Sequence, residues 1–310
     1  MRTFHVLINP GSGGGEAEQK RALLQAIFDE AGERCEFPVV ASPQALDAAC
    51  LLAAQRAQRE DGVLVAVGGD GTLNSAARAA LEAGCTLGVI PQGTFNYFGR
   101  AHGISQDAQE AARAMLRAQP QPVQVGLVNG RAFLVNASLG LYPQLLQDRE
   151  TFKNQFGRHR WVAVIAALAT LFKWRHQLSI EIETKDQRFR VRTPTLVVGN
   201  NALQLQQLGM PPELVAAAGQ GALVGAVVRP IGTAALLGLL LRGAFGRLGE
   251  AQQVDSFAFQ RITVDVRGMT RVKVAADGEV GRMAPPLRFE VSPRPLMLLV
   301  PLAQDRVEVE

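Results

Sequence analysis

The stretch from Val65 to Asn74, VAVGGDGTLN, holds three glycines and an aspartate directly behind a run of apolar residues. Glycine lets backbone N–H groups converge on an anion, and a helix starting behind them adds a partial positive charge. An aspartate among such amides repels a phosphate unless a cation lies between the two, which makes Asp70 the predicted ligand of Mg²⁺. The residues predicted to bind nucleotide phosphates here are Gly68, Gly69, Gly71 and Thr72.

Two further loops have a similar composition and context. One apolar run leads into NPGSGGG (9–15), and another leads into PQGTFN (91–96). Loops at the carboxyl ends of neighbouring parallel strands line one crevice, where open α/β sheets bind ligands. Each loop alone is also typical of a plain turn or a helix cap, but the three together favour one shared phosphate site. The predicted side chains from these two loops are Asn9, Ser12, Thr94 and Asn96.

Other phosphate-binding motifs fit this sequence less well. The chain has no Gly-x-x-x-x-Gly-Lys-Ser/Thr sequence, which excludes a P-loop. The first loop approaches the dinucleotide-binding fingerprint, but Glu16 occupies the position of its third glycine or alanine. The second predicted strand ends in VVAS, without an acid to bind a ribose, so a dehydrogenase is disfavoured.

Alternating strands and helices in the first third of the chain position these loops. Strands that are apolar throughout and alternate with helices are typical of a parallel sheet covered on both faces. Strands are predicted at 4–9, 36–41, 62–67 and 86–90, and helices at 16–31, 43–58, 73–84 and 105–118.

After QPQPV (119–123) the pattern changes to consecutive strands. Alternation of apolar and polar residues, as in 178–184, predicts an antiparallel sheet with one solvated face. We therefore place a domain boundary near residue 125 and expect a mainly antiparallel second domain. Its predicted strands are 131–140, 178–184, 188–200, 222–230, 261–268, 271–279 and 287–293, with helices at about 159–175 and 231–245.

Composition restricts the classes of function. Hydrophobic residues make up 47% and charged residues 19%, as in a folded globular protein. The net charge of +4 is too small to indicate nucleic acid, although it favours anionic partners. Cys35, Cys50 and Cys85 match no zinc or disulfide spacing, which favours a reducing cytoplasm. With no signal-peptide pattern and no uncharged apolar run of about 18 residues, a soluble cytoplasmic protein is expected.

Taken together, the motifs resemble the diacylglycerol kinase catalytic-domain family, which also contains the sphingosine and ceramide kinases. The similar segments are INPGSGGG (8–15), GGDGTLN (68–74), PQGTFNYFGRAHGI (91–104), VNGRAFLVNASLG (128–140) and ADGE (276–279). The resemblance implies a bacterial lipid kinase that uses ATP and Mg²⁺ to phosphorylate a lipid hydroxyl such as that of diacylglycerol. It also implies an α/β, Rossmann-like N-terminal domain, related to NAD kinase and phosphofructokinase, and a β-sandwich second domain.

The resemblance also implies a different binding role for each domain. Residues 1–125, joined by about 294–310, would bind the nucleotide, and 126–293 would bind the lipid. Asp277 and Glu279 match a late Asp-Gly-Glu motif whose acid acts in the family as general base on the acceptor hydroxyl. A carboxylate on a tight turn can take up that proton, although VAADGEVG alone is more typical of a plain hairpin.

Two positions depart from the family pattern. Tyr97 stands where an aspartate usually follows Gly-Thr-x-Asn, and Gln124 stands where an aspartate commonly precedes the second domain. The neutral segment 219–224 also replaces an often acidic stretch. These departures put the accessory and structural Mg²⁺ sites in question. They favour a subgroup that handles the metal differently, because Asp70 and Glu279 are present, and a non-catalytic nucleotide- or lipid-binding protein is the alternative that they motivate. Gly-Gly-Asp-Gly-Thr is shared with the NAD kinases, so an NAD kinase-like enzyme for a soluble nucleotide is a further alternative, which Asn96 disfavours.

The segment RHRWVAVIAALATLFKWRH (158–176) is suited to bringing a soluble enzyme to a lipid. Its apolar centre is flanked by basic residues, with Trp161 and Trp174 near its ends. Such a pattern is typical of an interfacial helix on acidic headgroups, and also of a helix buried against a sheet. We expect peripheral association with the inner face of the membrane, an anionic membrane surface and a lipid as partners, and no nucleic acid. A homodimer is left open.

Overall fold

The computed structural model describes residues 2–9, 17–93, 95–144, 177–183, 188–230 and 251–308, with isolated positions between 231 and 250. The chain divides into two compact units, one made of Met1–Val125 with Ser292–Glu310 and the other of Gly126–Val291. The predicted helix at 159–175, the interfacial segment around it and most of the predicted helix at 231–245 lie outside the described residues. Among the described residues, no helix is long and apolar enough to cross a membrane.

A mainly parallel sheet forms the centre of the first unit. Its strands are β1 (Thr3–Ile8), β2 (Arg34–Glu36), β3 (Val63–Gly68), β4 (Thr86–Pro91), β5 (Gln119–Val123) and the last strand of the chain, β18 (Leu296–Val300). The order across the sheet is β2-β1-β3-β4-β18-β5, and only β5 is antiparallel to its neighbour. Every residue of β3 is buried, as expected for a central strand covered on both faces.

Helices connect these strands and confirm the predicted α/β arrangement. They are α1 (Ala17–Glu30), α2 (Leu46–Arg59), α3 (Asp70–Ala83), α4 (Tyr97–Ala101) and α5 (Ala108–Arg117). Helix α3 begins at Asp70 rather than at Leu73, where the sequence pattern predicted its start. Gly69 is extended and precedes the helix, and the carbonyl of Gly69 accepts the first helical hydrogen bond from the N–H of Leu73 at 3.1 Å. The glycines obscure this start in the sequence because glycine is a poor helix former.

Prolines account for two other differences in the first unit. Strand β2 covers Arg34–Glu36 and overlaps the predicted strand 36–41 only at Glu36. Pro38 has no N–H for a strand hydrogen bond, which ends the strand before it. QPQPV forms β5, although the sequence predicted no strand there. Since β5 pairs only with β18 at the edge of the sheet, Pro120 and Pro122 are tolerated.

The second unit consists of two antiparallel sheets, which confirms the predicted β-sandwich. One has the order β10-β9-β14-β17-β6-β7, with β6 (Gly126–Val128), β7 (Arg131–Phe133), β9 (Leu178–Glu183), β10 (Arg188–Thr193), β14 (Arg261–Val266) and β17 (Leu287–Val291). The other has the order β13-β12-β11-β8-β15-β16, with β8 (Asn136–Gly140), β11 (Thr195–Gly199), β12 (Leu223–Val228), β13 (Val254–Phe259), β15 (Val272–Ala276) and β16 (Glu279–Met283). Alternate residues of both sheets, such as Leu196, Val198, Ile262 and Val264, form one buried core.

Two strands that the sequence predicted as continuous are each divided between the two sheets. The run 131–140 becomes β7 and β8, and the run 188–200 becomes β10 and β11 with Pro194 between them. Strand β13 and two short helices, α6 (Ala202–Gln207) and α7 (Pro212–Ala217), were not predicted. Only Phe259 of β13 is buried, so its apolar pattern is weak.

Candidate phosphate-binding site

The candidate site lies at the carboxyl ends of β1, β3 and β4. From β1 the chain passes to β2 on one side and then to β3 on the other, which makes the space between β1 and β3 a topological switch point. Open α/β sheets bind ligands at such points. Asn9 follows β1, and its side-chain N–H donates to the Oγ1 of Thr72 at 2.9 Å across this point. The predicted loop after β1 and the predicted loop after β3 therefore meet at Asn9 and Thr72.

Gly68 is required for the close packing at the end of β3. A Cβ atom added there would lie 2.6 Å from the Oγ1 of Thr72, and Thr72 is itself buried. Gly71, three residues further along the same loop, faces open space, since a Cβ there would have nothing within 4 Å. The two glycines thus have different roles, because packing excludes a side chain at Gly68 but not at Gly71.

A matched pair of alanine substitutions tests this difference. Gly68→Ala is expected to lower the free energy of unfolding by about 1–3 kcal/mol, because the added methyl group displaces the buried Thr72 side chain. Gly71→Ala is expected to change it by less than about 1 kcal/mol, and in the stabilising direction, because alanine favours the helix. Urea unfolding curves measure both values, and equal losses in the two variants would contradict the assignment.

Two glycines bring the second and third loops into contact. A Cβ on Gly93 would lie 3.0 Å from the Cα of Gly69 and 2.5 Å from the Oδ1 of Asn96, so the close approach leaves too little room for a side chain at Gly93. The N–H of Gln92 also donates to the carbonyl of Gly68 at 2.8 Å. The loop after β4 is therefore held directly against the start of α3.

Asn96 completes this contact through its backbone and stabilises its own loop through its side chain. Its N–H donates to the Oδ2 of Asp70 at 3.3 Å. Its φ of 45° and ψ of 39° lie in the left-handed region that asparagine tolerates better than most residues. The side-chain Oδ1 accepts from the N–H of Gly93, and the Nδ2 donates to the carbonyl of Gly93 and to the Oε1 of Gln106. The amide hydrogens of this buried side chain are therefore used within the protein.

Asp70 is a half-buried carboxylate whose negative charge is only partly compensated. Burial raises the pKa of Asp70 above its ordinary value, while hydrogen bonds from the backbone N–H groups of Asn96 and of Asp70 itself oppose that rise. Its position in the first turn of α3 gives it the positive end of the helix dipole. Among the described residues, no basic side chain lies within ion-pair distance of it. A carboxylate in this environment is suited to bind an added cation.

Four other positions singled out in the sequence lie outside the described residues or in neighbouring elements. Ser12 and Thr94 lie outside the described residues. Tyr97 begins α4, and Gln124 lies between β5 and β6. Within the described part of the chain, no cluster of three or more His, Cys, Asp or Glu side chains is arranged to hold a metal ion.

Asp277 occupies a tight turn in the second unit, where its carboxylate binds the backbone. Its Oδ2 accepts from the N–H of Leu134 at 2.6 Å, and its Oδ1 accepts from the N–H groups of Val135 and Asn136 at 2.8 and 3.0 Å. The N–H of Asp277 donates in turn to the carbonyl of Asn136 at 2.9 Å. These bonds hold the bend at which the chain passes from β7 to β8. Asp277 is therefore a structural clamp between this bend and the turn from β15 to β16.

Glu279, the other acid of the same motif, is partly exposed. It begins β16, its side chain is 38% exposed, and one carboxylate oxygen forms an ion pair with the guanidinium of Arg131. The two acids of the motif thus differ in their surroundings, because backbone amides bind Asp277 and an arginine side chain binds Glu279.

Comparison with known families matches both units. The profile of the diacylglycerol kinase catalytic domain matches residues 3–128. The profile of the YegS C-terminal NAD kinase beta sandwich-like domain matches residues 146–300, which is half of the chain.

The chain belongs to the diacylglycerol kinase catalytic-domain family.

Curated relatives of this diacylglycerol kinase family chain match between 45% and 71% of its length. A diacylglycerol kinase of Bacillus subtilis is 36% identical over 152 residues, which are 48% of this chain and 49% of the relative. A diacylglycerol kinase of Staphylococcus aureus is 36% identical over 143 residues, 45% of this chain and 44% of the relative. An uncharacterized Synechocystis protein is 28% identical over 229 residues, 71% of this chain and 50% of that protein. The matches thus span about half of the length of these relatives.

Two solved structures share the fold across nearly the whole chain. A diacylglycerol kinase of Bacillus anthracis has a TM-score of 0.66 at 16% identity, covering 97% of both chains. A proposed diacylglycerol kinase from that organism has a TM-score of 0.73 at 19% identity, covering 97% of this chain and 98% of the other. At these identities the comparison establishes the fold.

Two residues in the helices around the site of this family member were not predicted from the sequence. The ammonium group of Lys20, in α1, donates to the Oε1 of Gln92 at 3.2 Å, which brings a positive charge to the loop after β4. Its position about one turn into the helix behind a glycine-rich loop was the available signal. Asn74 is fully buried in α3, and neither polar atom of its side chain has a hydrogen-bond partner among the described residues.

Proposed function

We propose that this chain is an ATP- and Mg²⁺-dependent lipid kinase that transfers the γ-phosphate to a lipid hydroxyl such as that of diacylglycerol. The observation that carries the proposal is the environment of Asp70. Its half-buried carboxylate lies at the start of α3 beside Asn96, with no basic side chain within ion-pair distance among the described residues. Membership of the family and the names of the Bacillus subtilis and Staphylococcus aureus relatives support the same activity.

The donor set at Asp70 fits Mg²⁺ that arrives with a nucleotide. Mg²⁺ is usually held by one or two carboxylates, with phosphate oxygens and water as the other ligands. Asp70 would hold the ion, and Thr72 and the amides at the start of α3 would face the phosphates. When bound, the ion neutralises charge on the phosphate oxygens. Because one carboxylate is enough to hold such an ion, this role of Asp70 does not require accessory metal sites at Tyr97 or Gln124.

The two units and the remaining predicted residues have separate proposed roles. We propose that the first unit, residues 1–125 with about 294–310, binds the nucleotide, and that residues 126–293 bind the lipid. The phosphate-binding loops would be formed by Asn9, Ser12, Gly68, Gly69, Gly71, Thr72 and Thr94. Asn96 would act by orienting the loop after β4 and Asp70, because its side chain holds that loop while its N–H contacts Asp70.

Glu279 is the better candidate of the two late acids for the general base. The carboxylate oxygens of Asp277 accept hydrogen bonds from three backbone N–H groups, so they are poorly available to a substrate proton. Glu279 is more than one third exposed and pairs with the side chain of Arg131. We propose that Glu279 accepts the proton of the lipid hydroxyl, while Asp277 holds the turn that presents it.

Glu279→Gln tests this division of roles. The substitution preserves size but removes the proton acceptor, so kcat is expected to fall about 100-fold or more with little change in the KM for ATP. Steady-state kinetics at several lipid concentrations measure the two parameters. An unchanged kcat would show that another group takes the proton.

A labelling experiment tests the proposed activity as a whole. The full chain is incubated with ATP carrying a labelled γ-phosphate, Mg²⁺ and a total lipid extract, and the lipids are analysed by mass spectrometry. The proposal expects label in a lipid phosphate ester only when Mg²⁺ is present. The absence of labelled lipid, together with transfer of label to NAD supplied in a parallel reaction, would instead favour the NAD kinase-like alternative.

One observation favours a second candidate function. Because Asp277 is held by the backbone, only Glu279 of the late motif is available for chemistry, and Tyr97 and Gln124 replace two acids of the family pattern. A protein that binds nucleotide or lipid without transferring phosphate is consistent with these features. Binding of ATP without any turnover would select this alternative.

The proposed substrate also determines where the protein would act. A membrane lipid is reached at the membrane surface, so we propose a cytoplasmic protein that binds peripherally to the inner, anionic face. The net charge of +4 supports attraction to such a surface. The dimer remains a proposal that sedimentation of the purified chain would test.

A further inference from the structure

Two aromatic rings flank Asn96, the residue whose N–H contacts Asp70. Phe95 and Tyr97 stack on each other with their ring planes 3° apart and their centroids 6.0 Å apart. Phe95 is 53% exposed, which makes it one of the more exposed large apolar residues among those described. The pair therefore presents a flat apolar surface at the edge of the candidate phosphate site.

Hydrogen bonds and close packing connect the residue between the two rings to that site. Asn96 is 2% exposed, and its side chain makes hydrogen bonds to Gly93 and Gln106. Gly93 in turn lies against Gly69, directly before the start of α3. The rings are thus separated from Asp70 by a single residue whose position is fixed by packing and hydrogen bonds.

We propose that the exposed face of Phe95, supported by Tyr97, is the platform on which the base of the bound nucleotide stacks. This inference rests on the proposed function, because it assigns the base of the same nucleotide whose phosphates would bind at Asp70. A nucleotide combines the two groups that this surface and the adjacent loops could recognise, namely a flat aromatic ring and a polyphosphate chain. Aromatic side chains bind bases through such stacking, which is worth about 5- to 150-fold in affinity for each base.

A membrane surface is the other kind of partner that an exposed aromatic pair could contact. The carboxylate of Asp70 adjoins the rings through the Asn96 N–H at 3.3 Å. A negative charge at this position opposes contact with anionic headgroups unless a cation is supplied. A nucleotide that brings its own Mg²⁺ satisfies this condition, so the observations favour the nucleotide base.

Calorimetric titration of the full chain with two ligands tests the platform. The ligands are ATP and inorganic tripolyphosphate, each with Mg²⁺, since tripolyphosphate has the phosphates but no base. Phe95→Leu keeps the apolar bulk and removes the flat ring, whereas Phe95→Trp keeps a flat ring. We expect Phe95→Leu to weaken ATP binding by about 5-fold or more and to leave tripolyphosphate binding unchanged. Phe95→Trp is expected to retain ATP affinity, and its new indole to show a fluorescence change with ATP but not with tripolyphosphate.

The outcomes separate failure of the platform from failure of the proposed function. If wild type binds both ligands and Phe95→Leu binds ATP as wild type does, or loses affinity for both ligands equally, the platform is wrong while nucleotide binding stands. If Phe95→Leu instead reduces co-sedimentation with phosphatidylglycerol vesicles and leaves ATP binding intact, the rings contact a membrane. If wild type binds neither ligand, the proposed function fails and the platform fails with it.

Discussion

Phosphate transfer by the Asp70→Asn variant is expected to fall by about 100-fold or more, while the variant remains folded. The substitution keeps the shape of the side chain and its capacity to accept the N–H of Asn96, but it removes the charge that would hold Mg²⁺. Loss of one preorganised electrostatic contact to a reacting group typically costs about 100- to 1,000-fold in kcat. Initial rates with labelled ATP at saturating lipid measure the effect.

The same substitution is expected to leave the stability at neutral pH unchanged or higher. Burial raises the pKa of Asp70 in the folded protein above its ordinary value of 3.8. The ionised carboxylate therefore costs stability at neutral pH, and this cost disappears as the pH falls through the raised pKa towards 3.8. The neutral amide of the variant carries no such cost, so wild type and variant should converge in stability under acidic conditions.

Glu82→Gln provides the matched control for Asp70→Asn. Glu82 lies in the same helix, α3, and is exposed, so its charge is lost without any effect on the candidate site. Activity that falls equally in both variants would mean that net charge on α3 matters and that Asp70 has no special role. Full activity in Asp70→Asn would exclude the carboxylate as a metal ligand.

Asp277→Ala is expected to destabilise the second unit strongly, with a loss of about 3 kcal/mol or more in the free energy of unfolding. Three backbone N–H groups, those of Leu134, Val135 and Asn136, lose their acceptor at once. Each buried donor left unsatisfied costs about 1–3 kcal/mol. Urea unfolding followed by circular dichroism measures the loss.

Asp61→Ala separates this effect from the backbone conformation of the residue. Asp61 has a φ of 50° and Asp277 a φ of 47°, so both adopt the left-handed conformation, but Asp61 is exposed. The cost of placing alanine in that conformation, about 1–2 kcal/mol, is common to both variants. The difference between the two losses therefore reports the hydrogen bonds of Asp277. Equal losses would contradict the structural clamp.

The sequence predicted the architecture well where each strand has a strong pattern of its own. Strand β3 is apolar at each position and buried throughout, and the strands of the sandwich alternate cleanly, as at Leu196 and Val198. Local composition misled the prediction where tertiary pairing overrides it. QPQPV forms an edge strand because β18, far along the chain, is available to pair with it, and Pro194 marks a change of sheet.

The candidate site was predictable in its location but not in the use of its side chains. Loops after parallel strands converge by geometry, so Asn9, Thr72 and Asp70 could be assigned to one edge of the sheet. No spacing shows that the amide of Asn96 is used within its own loop. Nor does any spacing show that Asp277 binds the N–H groups of residues more than 140 positions earlier in the chain. Such contacts depend on which loops the folded chain brings together.

The most direct measurement is the effect of Mg²⁺ on ATP binding by wild type and by Asp70→Asn, determined by calorimetry with and without the metal. If a cation joins the Asp70 carboxylate to the phosphates, ATP should bind more tightly to wild type when Mg²⁺ is added. The variant should show no such increase in affinity. Without the metal, the variant should bind ATP more tightly than wild type, because the repulsion is gone. The same Mg²⁺ effect in both proteins would contradict the role of Asp70.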